Sequence, residues 1–332
     1  MIGPIVQAAE ELADSLLFPT ALETDAAPLV PKSHLDALAE AGLFALSGPP
    51  ELGGVDTPTL CSVIEALAGG CLATTFVWIQ HNTPVRSITA SANEALRARW
   101  LEPLCRGDRR AGIAFGGLRA GRAQVTARRV DGGWLLNGDL PFVTGWGVVD
   151  LLMVAARTED DQRVISALLA AQPSQMAGAE PLRLIAANST GTVRLSLRDC
   201  YVSDTDVISD APYRRPPDYD GGGRHNGSLS LGVAGRCLRL IGPSPLDAEL
   251  DAWRRALDEA PDTTMAAARA GASAFALRAA GALIVARGSR SIFLEDQAQR
   301  LYREAAFLLV FGSRNAIRDS LLRRFGVVND PS

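Results

Sequence analysis

The sequence has no excess of basic residues, no long uninterrupted apolar run and no export signal. Its formal charge is −4 and its pI is near 5.5, which argues against the basic face of a nucleic-acid-binding protein. The longest apolar run, residues 266–286, is interrupted by Arg269 and Arg278, and each charge would cost several kcal/mol at mid-bilayer. The first ten residues lack the basic and apolar regions of a signal peptide. We therefore expect a cytoplasmic protein that binds neither nucleic acid nor membrane.

The sequence also lacks paired cysteine spacings and has almost no lysine. The cysteines are odd in number and scattered, which argues against a disulfide framework and a zinc site; they are Cys61, Cys71, Cys105, Cys200 and Cys237. We expect buried thiols and no metal. Lys32 is the only lysine, a skew towards arginine from which we draw no function.

The hydrophobic period changes twice along the chain and divides it into domains, as expected for 332 residues. Residues 1–110 follow a helical pattern, with one helix predicted from a Ser33 cap to Gly42. Residues 111–210 follow a two-residue period, seen most strictly from Val193 to Arg198. Proline and glycine mark residues 211–227 as a linker loop, and residues 228–332 are helical again. The pattern predicts an α+β multidomain fold: an N-terminal helical domain, a central antiparallel β-barrel and a C-terminal four-helix bundle.

The stretch from Trp134 to Asp150 is the strongest candidate for a ligand site. Asn137-Gly138 favours a hairpin turn, after which Phe142-Val143-Thr144 resumes the extended pattern. Glycines on both sides of Trp146 would let the backbone approach a flat ligand, and Thr144 and nearby amides would bond a heterocycle's edge. The alternative is an ordinary hairpin whose aromatic rings are buried in the core, and on the residues alone this alternative is favoured about two to one.

Several motifs resemble the acyl-CoA dehydrogenase family. Leu136-Asn137-Gly138, then Phe142 to Gly145, then Val154 to Thr158 resemble that family's flavin-contacting segment, with Leu140 in place of a lysine and Phe142 in place of a tryptophan. Three further stretches resemble family elements over nearly the whole chain: the Glu51–Gly54 loop, residues 93–108 and residues 300–305.

The resemblance implies the family's fold and chemistry. FAD would lie between barrel and bundle, and an acyl-CoA or other acyl thioester would be oxidised at Cα–Cβ by an oligomer, a homodimer or homotetramer, or a hetero-oligomer with another dehydrogenase chain. Carried over position by position, it assigns cofactor contacts to Phe115, Gly116, Gly117, Phe142, Val143, Thr144 and Gly145, and substrate contacts to His81 and Arg122.

The sequence departs from the family at important positions. The catalytic glutamate falls on Gly312, or on Phe311 with a one-residue shift, and its other family location corresponds to about Ser228–Ser230. None of these residues takes up a proton as a carboxylate does. The glutamine and paired glycines that hold FAD from the bundle become Val285 and Gly288-Ser289.

The remaining charged candidates each have a structural alternative. His81 is a substitute base or a hydrogen-bonded structural histidine, with the structural role favoured. Arg122 meets a phosphate or is solvated, and Arg254 and Arg255 lie near the family's pyrophosphate arginine or face solvent. Glu304 is expected to pair with Arg300, four residues away, rather than to act in catalysis.

Three functions therefore remain open. The leading one is FAD-dependent, acyl-CoA dehydrogenase-like oxidation in lipid metabolism, with an unrecognised base. The second is a flavin-dependent monooxygenase on the same fold, which needs no α-proton base. The third is a non-catalytic subunit that completes a partner dehydrogenase's FAD site.

Overall fold

The first part of the chain is helical, as predicted. The structure, a computed structural model, describes residues 3–115, 123–173, 176–214 and 223–328. The N-terminal helices are α1 (Pro4–Leu12), α2 (Ala21–Ala26), α3 (Lys32–Glu40), α4 (Thr57–Gly70), α5 (Leu72–Thr89) and α6 (Glu94–Arg106). A π-helical turn, Ala13–Leu17, follows α1.

Capping residues explain where two of these helices begin. Asp56 accepts from the Thr59 amide at the start of α4, and Asn93 accepts from the Leu96 amide at the start of α6. The predicted cap of α3 is wrong: α3 begins at Lys32, directly after Pro31, and no side chain caps it. Its end is as predicted, because Gly42 adopts a positive φ of 73° just after the helix.

The central part forms one eight-stranded sheet. Its strands are β1 (Ala111–Ala114), β2 (Val125–Val130), β3 (Gly133–Val143), β4 (Leu151–Thr158), β5 (Arg163–Ala170), β6 (Gly178–Pro181), β7 (Val193–Ser203) and β8 (Val207–Pro212). The hydrogen-bonded order is β6-β7-β3-β2-β4-β5-β8, with β1 beside β4. The described strands give no pair that closes this path, so the expected barrel is seen as a sheet. Pairing is mostly antiparallel, but β4 pairs in parallel with both β1 and β2.

The predicted hairpin turn at Asn137-Gly138 is wrong. Both residues lie inside β3, where the register shifts between Leu136 and Gly138. The turn that joins β2 to β3 lies six residues earlier, at Asp131-Gly132, where Gly132 has φ +69°. Gly138 serves a β-bulge instead: its φ is +146°, and a Cβ there would lie 2.0 Å from the Gln124 carbonyl oxygen. An Asn-Gly pair thus marks a bulge here rather than a hairpin turn.

The C-terminal part forms a helical bundle, as predicted, and its described residues make five helices. They are α7 (Gly223–Ile241), α8 (Leu246–Glu259), α9 (Asp262–Arg287), α10 (Gln297–Val310) and α11 (Asn315–Arg324). Among the described residues one helical segment, Asp262–Ile292, is long and apolar enough to cross a membrane, and 61% of its most apolar window is buried inside the protein. Helix α9 is therefore the core helix of the bundle.

The first and last helical blocks pack directly against each other. A Cβ on Gly232 of α7 would lie 2.2 Å from the Glu65 carbonyl oxygen of α4, so the two helix backbones touch. The half-buried Glu65 carboxylate also pairs with Arg254 of α8. The two ends of the chain therefore share one core, and buried residues of the sheet belong to the same core.

Candidate functional site

The end of β3 presents one exposed aromatic ring beside buried neighbours. Phe142 is 62% exposed, whereas Val143 and Thr144 are buried. Strand alternation places Phe142 and Val143 on opposite faces. Phe142 therefore offers a flat apolar surface, and Val143 belongs to the core.

A chain of three buried threonine hydroxyls runs from Thr144 into the loop of residues 187–192. Thr144 Oγ1 lies 3.0 Å from Thr192 Oγ1, which lies 2.8 Å from Thr190 Oγ1. Thr190 Oγ1 donates to the Ala187 carbonyl oxygen at 2.8 Å. Sequence reasoning missed Thr190 and Thr192, although two threonines around a glycine just before a buried strand were the available signal.

The glycines beside Trp146 bring two loops of the protein together, not a ligand. The Gly145 amide donates to the Thr190 carbonyl at 2.9 Å, and the Trp146 amide donates to the Gly191 carbonyl at 3.2 Å. A Cβ on Gly191 would lie 2.3 Å from the Trp146 carbonyl oxygen. The expectation that these amides bond a ligand is therefore wrong for Gly145 and Trp146, and the partly buried Trp146 packs against the hydrophobic core.

His81 occupies a buried structural position. It lies within α5, its Nε2 donates to the Leu104 carbonyl at 3.1 Å, and its Nδ1 accepts from the Ala111 amide at 3.0 Å. Burial lowers the pKa of the imidazole from 6.5 to about 3. Because both ring nitrogens are engaged with the backbone, His81 has no free lone pair with which to take a substrate proton.

The position of the family's glutamate is closely surrounded. Gly312 has φ +60°, and a Cβ there would lie 3.0 Å from Nδ2 of Asn226, near the start of α7. The preceding residue, Phe311, meets Phe76 of α5 edge to face with ring centroids 4.4 Å apart. An amide group thus lies where a carboxylate side chain would start.

The second family location for the glutamate lies beside arginines. Ser228 and Ser230 are fully buried in α7. Ser228 accepts from Arg224 at 2.6 Å, and Ser230 accepts from the buried Arg269 at 3.3 Å. This part of the bundle carries positive charge where some family members carry a base.

The other charged candidates take part in structural ion pairs. Glu304 pairs with Arg300 at 2.5 Å, as predicted from their spacing, and both side chains are buried. Desolvation raises the pKa of the Glu304 carboxyl, and Arg300 opposes this shift. Arg254 pairs with Glu65 and Asp251 rather than standing free for a phosphate.

The remaining predicted contacts divide into described and undescribed positions. Gly116, Gly117 and Arg122 lie outside the described residues. Phe115, just after β1, is partly buried against the core. On the bundle side Val285 is 81% exposed, and Gly288 and Ser289 are exposed after it, so nothing in the described subunit covers them.

A cleft of about 710 Å³ lies between α3, the end of α6 and residues 147–150. Its walls carry charges of both signs, including Lys32, Asp36 and Arg110, and Asp36 pairs with both cations. The paired Lys32 and Arg110 hold the pKa of the Asp36 carboxyl below its usual range. Such a lining does not suit an apolar ring system, and the cleft lies on the α3 side rather than at Phe142.

Comparison with known proteins finds similarity to one family. The model of the acyl-CoA dehydrogenase N-terminal domain matches residues 4–108. Human mitochondrial short-chain specific acyl-CoA dehydrogenase is 25% identical over 216 residues, which are 62% of this chain and 52% of that protein. Bovine isobutyryl-CoA dehydrogenase is 29% identical over 238 residues, 68% of this chain and 56% of that protein. Residues 4–108 thus belong to the acyl-CoA dehydrogenase N-terminal domain family, and the chain as a whole is similar to acyl-CoA dehydrogenases.

Solved structures extend the likeness to the whole fold of the chain. Butyryl-CoA dehydrogenase from Megasphaera elsdenii has a TM-score of 0.81 at 18% identity, covering 97% of this chain and 96% of that one. Dibenzothiophene monooxygenase from Paenibacillus has a TM-score of 0.77 at 20% identity, covering 97% of both chains. By sequence, the chain spans about half the length of the curated relatives that it matches, as with the 52% of the human enzyme.

Proposed function

We propose that this protein is a flavin-dependent oxidoreductase that acts on an acyl thioester. The observation that carries the proposal is the end of β3, where the exposed Phe142 ring and the buried Thr144 hydroxyl lie two residues apart. A flat apolar surface next to a polar group is what an isoalloxazine ring requires. Several relatives are named as acyl-CoA dehydrogenases, which supports the thioester as substrate class.

The residues present fit part of a flavin site. Phe142 would lie against the ring, and the Thr144 hydroxyl would meet its polar edge, since Thr144 still has an unused lone pair. The Gly145 and Trp146 amides would not contribute, because both are bonded to the 187–192 loop. Bound flavin would supply the hydride acceptor for the oxidation. We propose FAD as the form bound, following the family resemblance of this segment.

A second candidate function, flavin-dependent monooxygenation, is favoured by Gly312. Oxidation at Cα–Cβ needs a base that removes the α proton. At the position of the family's catalytic glutamate, this chain has Gly312 beside the Asn226 amide. An amide donates a hydrogen bond but does not take a proton near neutral pH. A monooxygenase does not need this base, and a monooxygenase is among the proteins with the same fold.

We also propose that the protein works as an oligomer. Four apolar side chains at the end of α9 and in the turn after it are exposed, and we call them the α9-end patch: Val285, Ile292, Phe293 and Leu294. Exposed apolar groups this close together usually mark an interface. A second copy of this chain, in a dimer or tetramer, is the proposed cover, and another dehydrogenase chain is the alternative.

The test begins with the absorption spectrum of the purified protein with and without added FAD. A flavin spectrum that bleaches anaerobically when butyryl-CoA or a longer acyl-CoA is added supports the dehydrogenase proposal. The monooxygenase proposal is supported by a different result. In that case no acyl-CoA bleaches the bound flavin, but the protein oxygenates a substrate when reduced flavin and oxygen are supplied. Absence of flavin binding by the isolated chain, with binding restored by a second dehydrogenase chain, would support the non-catalytic subunit and contradict both enzymatic proposals.

A further inference from the structure

The cleft between α3 and the end of α6 has a size that suits a small ligand. Its volume of about 710 Å³ falls within the roughly 300–1,000 Å³ that small-molecule sites occupy. Leu35 and Ala39 of α3, together with Val148 and Val149, supply the apolar part of its lining. None of these residues belongs to the proposed flavin site at the end of β3.

One end of the cleft carries a net positive charge. Lys32 and Arg110 share the single carboxylate of Asp36, so one positive charge is in excess. The Arg110 side chain is only 11% exposed, and its guanidinium lies over the Phe44 ring, 5.7 Å from the centroid. Its Nη2 donates to Asp36, but its Nε is buried without a partner and its Nη1 has none among the described residues. A guanidinium has five N–H groups, so this end has unused donors for an anionic group.

The other end of the cleft carries two unpaired carboxylates. A Cβ on Gly107, just after α6, would lie 2.7 Å from the Ala39 Cβ, so the ends of α3 and α6 touch. Glu40 and Asp108 follow these two residues in the chain, and both line the cleft. Within the described ranges neither carboxylate has an ion pair or a hydrogen bond. This end therefore favours a cationic group.

About one helical turn separates the two ends. Asp36, at the positive end, and Glu40, at the negative end, are four residues apart on α3, about 6 Å along the axis at 1.5 Å per residue. Arg106 and Asp150 also line the cleft, but each pairs with a residue of opposite charge outside the lining. The lining is thus positive at one end, negative at the other and apolar between them.

We propose that this cleft binds a small zwitterion, an ω-amino acid, with its carboxylate at Arg110 and Lys32 and its ammonium group at Glu40 and Asp108. Both ends then form charge-assisted hydrogen bonds, and the methylene chain covers the apolar lining. Bonds of about 1.5 Å make a chain of roughly three or four methylene groups long enough for this spacing. The two charged groups of an α-amino acid are attached to one carbon atom and are too close together.

The site is tested by ligand-observed NMR titration of the purified whole chain with 4-aminobutyrate and 5-aminopentanoate. Butyrate and butylamine each carry one of the two charges, and glycine carries both on one carbon atom. We expect the two ω-amino acids to bind with a Kd of about 1 mM. The three comparison compounds should bind about tenfold more weakly, because each loses one charge-assisted contact.

Variants at the two ends separate the roles of the charges. Glu40→Gln/Asp108→Asn keeps the size of two exposed side chains, and it should weaken 4-aminobutyrate binding about tenfold without weakening butyrate binding. Lys32→Gln removes the excess positive charge and should weaken 4-aminobutyrate binding about fivefold. Glu259→Gln removes an exposed carboxylate at the end of α8, outside the cleft, and as the matched control should keep the wild-type Kd.

Several results would overturn the proposal. They are ω-amino acids that bind no more tightly than butyrate, butylamine or glycine, an unchanged Kd in Glu40→Gln/Asp108→Asn, and no binding of either ω-amino acid. None of these measurements needs bound flavin. Failure here therefore leaves the proposed function standing, and a chain that binds no flavin leaves this proposal standing.

Discussion

His81 illustrates how burial decides the role of a reactive side chain. The sequence places this histidine near a predicted pocket, and both roles were open. The structure surrounds it with the Leu104 carbonyl, the Ala111 amide and the ring of Phe44, 4.8 Å away edge to face. A neutral imidazole that donates at one nitrogen and accepts at the other satisfies two backbone groups between α5, α6 and β1. No sequence pattern reveals this, because the two partners are backbone atoms distant along the chain.

We predict that His81 makes the protein less stable in mild acid. Its folded pKa of about 3 lies below the ordinary 6.5, so the unfolded chain binds the proton first, and stability present above pH 6.5 is lost as pH falls towards 3. His81→Gln keeps one donor and one acceptor and does not titrate. Between pH 6.5 and pH 5 the wild type should lose about 2 kcal/mol more than this variant, in urea unfolding at each pH. Equal losses would contradict the assignment, as would a loss of flavin binding in His81→Gln.

The pair Gly312 and Asn226 gives a test of the missing base. We expect the double variant Gly312→Glu/Asn226→Ala to be reduced by acyl-CoA about 10²-fold faster than the wild type, because truncating Asn226 makes room for a carboxylate. Anaerobic bleaching of the bound flavin in a stopped-flow instrument measures this rate. Gly312→Gln/Asn226→Ala has the same size without a base and should stay at the wild-type rate. Equal rates in the Glu and Gln variants would show that this position does not hold the base.

Strand β3 shows which elements local sequence predicts and which it does not. The alternation from Val193 to Arg198 was predicted and lies in β7, since a sheet with one wet face imposes that period. The Asn137-Gly138 turn was wrong, because the same glycine conformation serves a bulge when a neighbouring strand continues past it. Strands β6 and β8 were missed: both are short and largely exposed, and so have no hydrophobic pattern.

The bulge predicts unequal effects at two glycines of one strand pair. Gly138→Ala places a methyl group against the Gln124 carbonyl and should destabilise the protein by about 3 kcal/mol or more. In Gly132→Ala, at the turn between β2 and β3, the new Cβ would lie 3.5 Å from its nearest neighbour, the Tyr201 hydroxyl. This variant should lose only the strain energy of an alanine at positive φ, about 1 kcal/mol. Chemical unfolding measures both. A Gly138→Ala variant as stable as Gly132→Ala would contradict the bulge.

The order of helices, sheet and helices follows from the period of apolar residues, and the structure confirms this architecture. The sequence could not reveal that the two helical blocks pack on each other, because that contact joins residues more than 160 positions apart, such as Gly69 and Arg236. Nor could it reveal the α9-end patch, because its apolar residues at the end of α9 and in the turn after it look like core residues in the sequence but are exposed.

The α9-end patch predicts the assembly state. The double variant Ile292→Asp/Leu294→Asp places two charges in the proposed interface and should convert a wild-type dimer or tetramer into smaller species. Sedimentation or light scattering at micromolar concentration measures the mass. Val327→Asp changes an equally exposed apolar residue outside the patch and should keep the wild-type mass. An unchanged mass in the double variant would contradict an interface at this patch.

The backbone contact between Glu65 of α4 and Gly232 of α7 affects how the chain acquires its structure. Helix α4 buries one side against a segment that leaves the ribosome more than 150 residues later, so that side of α4 stays uncovered until α7 has been made. Heating should then melt both helical blocks in a single cooperative transition, and a fragment that stops short of α7 should stay loosely ordered and prone to aggregate.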